Sequence, residues 1–506
     1  MRRNRSASMT VFAALSFMLV SQFLFALLAS ARNLEFDKVA QINTDCVLES
    51  MFAEYSGPLW ERYRLLGTSA RDSQGDFSLT NREGMLRKLC EENLTDGNHL
   101  FRASVVDLEF TKALLMTDYG GKVFCQAVSS YMKNNIAYET AQSVYNRFES
   151  VRNAKEAYGD GDSSIDNALD TLKELAEEKE SGEAVGTSEP VGPAFYGTSI
   201  AEEREPEESQ NLLTTIVEIK KKGILSLVLP KDAEISSTEV NLKDVVSHRA
   251  LAKGSNTEEP QSDWYDQVLL HQYLLHYMSG YTDHKKQEGL AYELEYLIGG
   301  KGVDRDNLKT VIHEILAIRE ALNLASLVVS PSRQAQALSL ATLLAGITVN
   351  PIIIEAVKYG ILAAWAYAES ILDVRALLQG ERVAVIKSEV DWTSDLDAIP
   401  SLLSGWCQAK SSAVGLSYKD YLGILLFFHS SETLAMRSMD VQEVAIRKEK
   451  GYESFHMDSL VCEADISIIY QYPPVFASFV WLGGKNQGFF RVMGEGSYSY
   501  FHERQV

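Results

Sequence analysis

Twenty-six consecutive residues, Ser6 to Ala31, carry no charge, with Arg2, Arg3 and Arg5 before them and Arg32 after. This run constrains the chain more than any other feature, because an uncharged stretch of that length folds as a helix that must be kept out of water. About 20 apolar residues cross the ~30 Å hydrocarbon core of a bilayer. Met9 to Ala29 supplies them, with Phe12, Leu19, Phe23 and Leu28 among them. Residues 8–31 are therefore expected to be a transmembrane helix in contact with membrane lipid, preceded by a basic leader at 1–7. Basic residues stay on the cytoplasmic side, so Arg2, Arg3 and Arg5 set the expected topology, and Arg32 marks the outer end of the span. The expected location is the cell membrane, with a single pass, a cytoplasmic N-terminus and ~475 extracellular residues.

Three fates are open to this segment. It stays as an uncleaved anchor, it is removed as a secretory signal at Ala29-Ser30-Ala31, or its leader is clipped near Ala7 or Ser8 and the apolar stretch becomes the mature N-terminus. The run is longer than the ~7–15 residues of a signal-peptide core, which favours retention. Apolar residues recur past Arg32 at Phe36, Val39, Ala40, Val47, Met51 and Tyr55, and no proline occurs before Pro58. This spacing predicts one helix from Met9 to Tyr55, 47 residues or roughly 70 Å. The alternative is two helices with a kink near Arg32.

Beyond the anchor the class is α+β, with a mostly helical region at 32–155, an acidic linker at 156–210 and an α+β domain at 211–506. Helices are predicted at 82–96, 121–155, 262–278, 287–298 and 419–447, and from an N-cap at Asp304 or Asp306 through Leu322. Strands are predicted at 103–110, at Gly223–Pro230 and at 380–391. Ala464, Ile466, Ile468, Tyr470 and Tyr472 alternate strictly, and 489–500 alternates more weakly, which predicts a C-terminal antiparallel sheet with one buried face. Gln334 to Ile354 is uncharged over 21 residues. Asn350-Pro351 should end or kink a helix there, so the reading is two core helices, with a second membrane crossing as the alternative.

The chain carries 48 Lys+Arg against 69 Asp+Glu, a net charge of −21. That sign repels phosphate and argues against nucleic-acid partners. Residues 160–208 hold fifteen acidic and three basic residues, −12 of that charge, a composition that cannot offset ordering entropy. The five cysteines have no CxxC spacing and are expected to be buried free thiols, with a disulfide in the exported part, of no assignable pairing, as the alternative.

No enzymatic constellation is complete. His313-Glu314 lacks the second His of a zinc-protease helix. His271 and His276 are five apart, off a common helix face. Gly299-Gly300-Lys301-Gly302 misses a phosphate loop, whose first Gly would fall at Glu295 and whose hydroxyl would fall at Gly302. Gly159 and Gly161 lack a third Gly at Ser164, and Asp160, Asp162 and Asp166 lack the Gly and Glu of a calcium loop, with Ile165 and Thr171 in their places. Glu293 and Glu295 point in different directions on a helix and are read as structural. The expectation is no enzyme, no catalytic residue, no metal and no cofactor.

Several blocks, in order, resemble one family. They are Ser8-Met-Thr-Val-Phe-Ala-Ala-Leu15, Glu49-Ser-Met-Phe-Ala-Glu-Tyr55, Leu59-Trp-Glu-Arg-Tyr-Arg-Leu65, Gly223–Pro230, Tyr292-Glu-Leu-Glu-Tyr296, Ile318-Arg-Glu320, Trp365–Leu378, Tyr418-Lys-Asp-Tyr-Leu422 and Arg437-Ser-Met-Asp440. The chain resembles an uncharacterised family of membrane-anchored proteins from Gram-positive, clostridia-type bacteria. That family is related at its N-terminus to the TadE/TadG pseudopilin-like proteins. The resemblance implies a pseudopilin-like or accessory surface protein of a tight-adherence (Flp-type) pilus or type II/IV secretion system, partnered by other proteins of that apparatus, with no catalytic residues to carry over. The chain departs from prepilin substrates, which place Gly before the cut and Glu at the fifth mature position. Here Ala7 or Ser8 stands at the junction, and no acid precedes Glu35. Two rival functions remain at this level: an independent surface module binding a wall or host polymer, and an extracytoplasmic hydrolase.

Overall fold

The computed structural model describes residues 4–71, 77–97, 102–133, 149, 170, 218–221, 223–256, 259–261, 263–283, 289–345, 350–473 and 488–501. In chain order the elements are α1 (Asn4–Ala53), α2 (Gly57–Tyr63), β1 (Thr68–Ser69), α3 (Leu79–Gly97), β2 (Ser104–Leu115) and α4 (Asp118–Lys133). There follow α5 (Ile224–Val228), α6 (Trp264–Tyr277), α7 (Glu293–Gly299), α8 (Asp304–Val328), α9 (Pro331–Ala345) and α10 (Pro351–Leu378). The last are α11 (Ile399–Ser404), α12 (Tyr418–Leu426), α13 (Ser431–Arg447), β3 (Leu460–Tyr472) and β4 (Phe490–Ser499). The class is α+β, as the residue patterns imply. The chain divides into two units of interleaved segments: Met1–Asn135, Lys243–Gln267 and Ser431–Val506 form the first, Ile136–Leu242 and Val268–Ser430 the second.

In the first unit α1 is one uninterrupted helix of 50 residues, about 75 Å long. Nothing in its sequence breaks it, since neither glycine nor proline occurs before Gly57 and Pro58; the kink near Arg32 is absent. Its second half lies on an antiparallel sheet in which β3 pairs with β1, β2 and β4. The alternation predicted at 464–472 is the pleat of β3. Ala464, Ile466, Ile468, Tyr470 and Tyr472 turn toward Phe36, Ala40, Val47, Leu48, Met51 and Phe52 of α1, and Leu86 and Cys90 of α3 close the same core. The partner β4 is as predicted, with Glu463 opposite Ser499 and Tyr472 opposite Phe490. The patch at 103–110 is part of β2, which pairs along the other edge of β3 from Ser104–Gln471 to Leu115–Val461.

Two glycines set how closely α1 approaches β4. A Cβ on Gly494 would lie 2.3 Å from Thr44 Oγ1 and 3.3 Å from the Ala40 carbonyl oxygen, and one on Gly496 would lie 3.1 Å from Thr44 Cγ2. Gly494→Val is therefore expected to cost about 1–3 kcal/mol by overpacking. The check is a shift of the urea midpoint, with Gly488→Val as the control, since nothing lies within 4 Å of a Cβ there.

In the second unit α8 and α10 carry the longest buried faces. α10 is buried almost continuously from Val357 to Leu378. The Asn350 side chain accepts a hydrogen bond from the Ile352 N–H at 3.0 Å, and Pro351 opens the helix, so Asn350-Pro351 starts a helix as well as separating two. The uncharged stretch 334–354 is thus shared between α9 and α10, and among the described residues the only helix long and apolar enough to cross a membrane is α1.

Several expectations are corrected. Gly223–Pro230 is not a strand: Ile224–Val228 is a single helical turn, with Leu229 N–H bonded to the Leu225 carbonyl at 3.0 Å. An apolar run among helices has no strand to pair with, so its backbone satisfies itself. Residues 380–391 make one bridge, Val383 to Leu416. Ile386 and Val390 are 71% and 80% exposed while Lys387 is buried, so the apolar positions do not mark the inner face. The cap of α8 is at Val303. Asp304 instead accepts from Ser236 Oγ at 2.6 Å and the Ala291 N–H at 3.0 Å. The helix predicted at 419–447 is two, α12 and α13. Only Glu293–Gly299 forms a helix in 289–299, and the helix predicted over 121–155 is described as far as Lys133. Cys90, Cys125 and Cys462 are buried, but Cys46 is exposed and Cys407 half-buried, because Cys46 lies on the water side of α1.

Candidate functional site

The most distinctive construction is α1 and its seat. None of the described residues from Met9 to Glu35 is buried, and Phe36 is the first that is. Phe12, Phe17, Leu19 and Phe23 are 65–74% exposed, an apolar surface that a water-soluble helix does not tolerate at this size. From Phe36 the helix becomes a core element, and polar pairs fix its register. Thr44 Oγ1 and Tyr470 Oη are 2.9 Å apart, Asn43 donates to the Cys90 carbonyl at 3.2 Å, and Asn33 accepts from Tyr472 Oη at 2.8 Å.

Of the topology residues, Arg2 and Arg3 lie outside the described residues, and only the helical backbone is described for Arg5. Arg32 sits where the apolar half ends. Its guanidinium lies 5.1 Å from the Tyr472 ring centroid and donates to the Pro473 carbonyl at 2.9 Å.

At the other end of α1 a cleft of about 450 Å³ is lined by Glu49, Phe52, Ala53, Tyr55, Leu66, Tyr498 and Tyr500. Phe52 stacks on Tyr498 at 4.4 Å and meets Tyr500 edge-on at 5.1 Å. The Tyr500 hydroxyl donates to the Phe52 carbonyl and lies 2.8 Å from Thr68 Oγ1. Neither element's sequence announces this cleft, because its two walls are about 450 residues apart in the chain.

The residues screened for chemistry are not gathered into a catalytic arrangement among those described. His271 is fully buried against Phe427, with ring centroids 3.9 Å apart, and burial pushes it down to about 3, so it is neutral; His276 is exposed. Gly300 is the left-handed cap that ends α7, which presents carbonyls and not the N–H groups a phosphate needs. Asp160, Asp162, Asp166, Gly159 and Gly161 lie outside the described residues.

One triad would pass a metal-ligand screen: donor atoms of Glu443, His456 and Asp458 lie within 4.8 Å of one another. Arg249 spans both acids, however, at 2.5 Å and 2.8 Å from Glu443 and 2.7 Å from Asp458. Arg447 donates to Glu443 at 2.5 Å. Burial and then Arg447, Arg249 and Arg71 push His456 down to about 4. Two guanidinium groups already compensate the two carboxylates, so a cation there would have to displace both.

A buried quartet in the second unit has no motif in the sequence, although three of its members sit in the resemblance blocks. Arg319, Glu369 and Asp373 are fully buried and Lys387 nearly so. Arg319 meets Asp373 at 2.9 Å, and Lys387 bonds Glu369 and lies 2.5 Å from Asp373. Burial pushes the Asp373 carboxyl up, but Arg319 and Lys387 outweigh it and hold it below the usual carboxylate range. Two positive and two negative charges balance, which is what makes their burial tolerable.

Glu293 and Glu295 are both buried and fasten loops to α7. Glu293 accepts from the Ser279 N–H at 2.7 Å, and Glu295 accepts from the Tyr281 N–H and Tyr418 Oη, both at 2.8 Å. Burial pushes Glu295 up to about 7. A raised carboxyl binds its proton more tightly folded than unfolded, so its contribution is complete in acid and is lost as the pH rises through about 7. The loss from about pH 5 to about pH 8 is expected to approach 3 kcal/mol. Urea midpoints across that range should fall less steeply in Glu295→Gln than in the parent.

No curated protein and no solved structure matches the chain. The family of unknown function DUF5702 matches residues 202–472, a stretch that begins after α1 and covers more than half of the chain, and the protein is a member of that family.

Proposed function

We propose that this protein is a non-enzymatic, single-pass membrane protein of the cell surface, a pseudopilin-like or accessory component of a tight-adherence pilus or related type II/IV secretion system. Arg2, Arg3 and Arg5 hold the N-terminus in the cytoplasm, residues 8–31 cross the bilayer, and the two units face outward. The observation that carries this reading is α1: one continuous 50-residue helix, apolar and bare in its first half, packed on an antiparallel sheet in its second. That is the layout of a subunit held in a membrane or among neighbouring helices before or during assembly. The N-terminal resemblance to TadE/TadG-like proteins, and with it a Gram-positive source, supports the same reading. The lack of a Gly–Glu processing junction favours a stably anchored accessory protein over a cleaved filament subunit.

Mass spectrometry of sheared surface filaments and of the membrane, in parent and deletion strains, tests it. The protein in either fraction, with filaments lost or shortened on deletion, supports the proposal. Absence from filaments together with normal filaments on deletion overturns it.

The aromatic cleft favours a second reading, a module that binds a wall or host polymer. Tyr55, 43% exposed, and Glu49 both line this cleft, a combination of aromatic ring and carboxylate suited to sugar rings. Pull-down on insoluble cell-wall polymer should weaken in Tyr55→Ala under this reading and be absent in both proteins if it is wrong.

A further inference from the structure

We propose that the end of the sheet nearest the apolar half of α1 rests in the lipid headgroup region, so that the protein meets the bilayer at two places: through α1, and through Phe489 and Phe490 beside Tyr472, with Met493 opposite Ile469 further along β4. The inference rests on α1 crossing the bilayer and adds a surface that this reading does not require.

The level of the sheet end is fixed by contacts to α1. Tyr472 and Phe490 form the last pair of β3 and β4. The Tyr472 ring lies 4.2 Å from Phe36 and 5.7 Å from Phe490, its hydroxyl donates to Asn33, and Arg32 reaches its face and the next carbonyl. All of these α1 residues lie within about a turn and a half of Ala31, the last residue of the uncharged span. The sheet end is thus held where the hydrocarbon core gives way to headgroups.

Its surface suits that depth. Phe489 is 59% exposed, Phe490 42%, Met493 60% and Leu34 63%, and Arg491 beside them is exposed as well. Large apolar side chains interleaved with arginine are the composition of an interface, where rings sit among headgroups and a guanidinium reaches phosphate. Glu35 and Asp37, both exposed on α1, limit the contact to the shallow region, since carboxylates belong in water. The occupant is therefore a lipid surface, continuous with the one around α1, and not a second copy of the chain.

The test uses the full-length protein in vesicles of phosphatidylethanolamine and phosphatidylglycerol. The photo-reactive residue p-benzoylphenylalanine is placed, one site at a time, at Phe490, Met493, Phe12 and Tyr55, and adducts are identified by mass spectrometry. Lipid adducts are expected at positions 12, 490 and 493 and none at 55, which sits at the far end of α1. Lipid adducts at 12 with none at 490 and 493, or protein–protein adducts at those two positions, overturn the headgroup contact and leave the anchor intact. No lipid adduct at 12 removes the anchor itself, and this inference with it.

Discussion

Replacing Arg319 with methionine will destabilise the second unit by about 3–5 kcal/mol, the scale of removing one partner from a buried ion pair. The loss is large because Arg319 does several things at once. It meets Asp373, donates to the Ala384 and Val385 carbonyls at 2.9 and 3.1 Å, and donates to Tyr421 Oη at 3.0 Å. It thereby ties α8 to α10, to the irregular segment after α10 and to α12. Without it Asp373 keeps the Asn323 amide at 2.8 Å and Lys387 as its one charged partner, while Lys387 is already shared with Glu369. Urea unfolding followed by tryptophan fluorescence reads the effect, since Trp365 donates to Ser394 Oγ at 3.0 Å and stands 6.0 Å from Trp392 beside the quartet. An apolar replacement of both Arg319 and Asp373 should cost less than Arg319→Met alone, because it leaves one charge of each sign, Lys387 and Glu369, and no unbalanced one.

The second large effect is on α1. Arginine at Val20 and Leu24, one turn apart in the middle of the span, is expected to oppose insertion by about 2.5–3.5 kcal/mol each, about 5–7 together. The double variant should move from the carbonate-washed membrane pellet to the soluble fraction or be degraded. Ile42→Arg, on an equally exposed position of the same helix but beyond Arg32, should leave retention unchanged. Equal retention of all three proteins would show that α1 is not the membrane contact.

Much of the first unit was legible because its signals are local. An uncharged run without Gly or Pro has one regular solution, and the strict alternation of Ala464 to Tyr472 has one pleat. In the second unit Asn350-Pro351 was legible as a break between helices, though not as the cap that starts α10. Membership of an uncharacterised family was also visible, in the blocks from Gly223 to Asp440, which lie within the matched residues. What stayed hidden depends on partners distant in sequence. β2 pairs with β3 across some 350 residues, and nothing in either strand names the other. The run at Ile224–Val228 is apolar enough for either secondary structure until its neighbours are known. Lys387 sits in what reads as a strand, yet it is the inward residue because Glu369 and Asp373 wait opposite on α10. The aromatic cleft joins the end of α1 to the end of β4, and so has no motif of its own.

The most direct test of the central claim, an anchored protein with its bulk outside, is labelling of Cys46 by a membrane-impermeant maleimide on intact cells. Cys46 is exposed and lies 14 residues beyond Arg32, about 20 Å further along the helix. The account predicts a labelled band in the membrane pellet of intact cells for the protein carrying Cys407→Ser, since Cys407 is also partly exposed, and loss of that band when Cys46→Ser is added. Labelling only after lysis, or only of protein released to the medium, would contradict it.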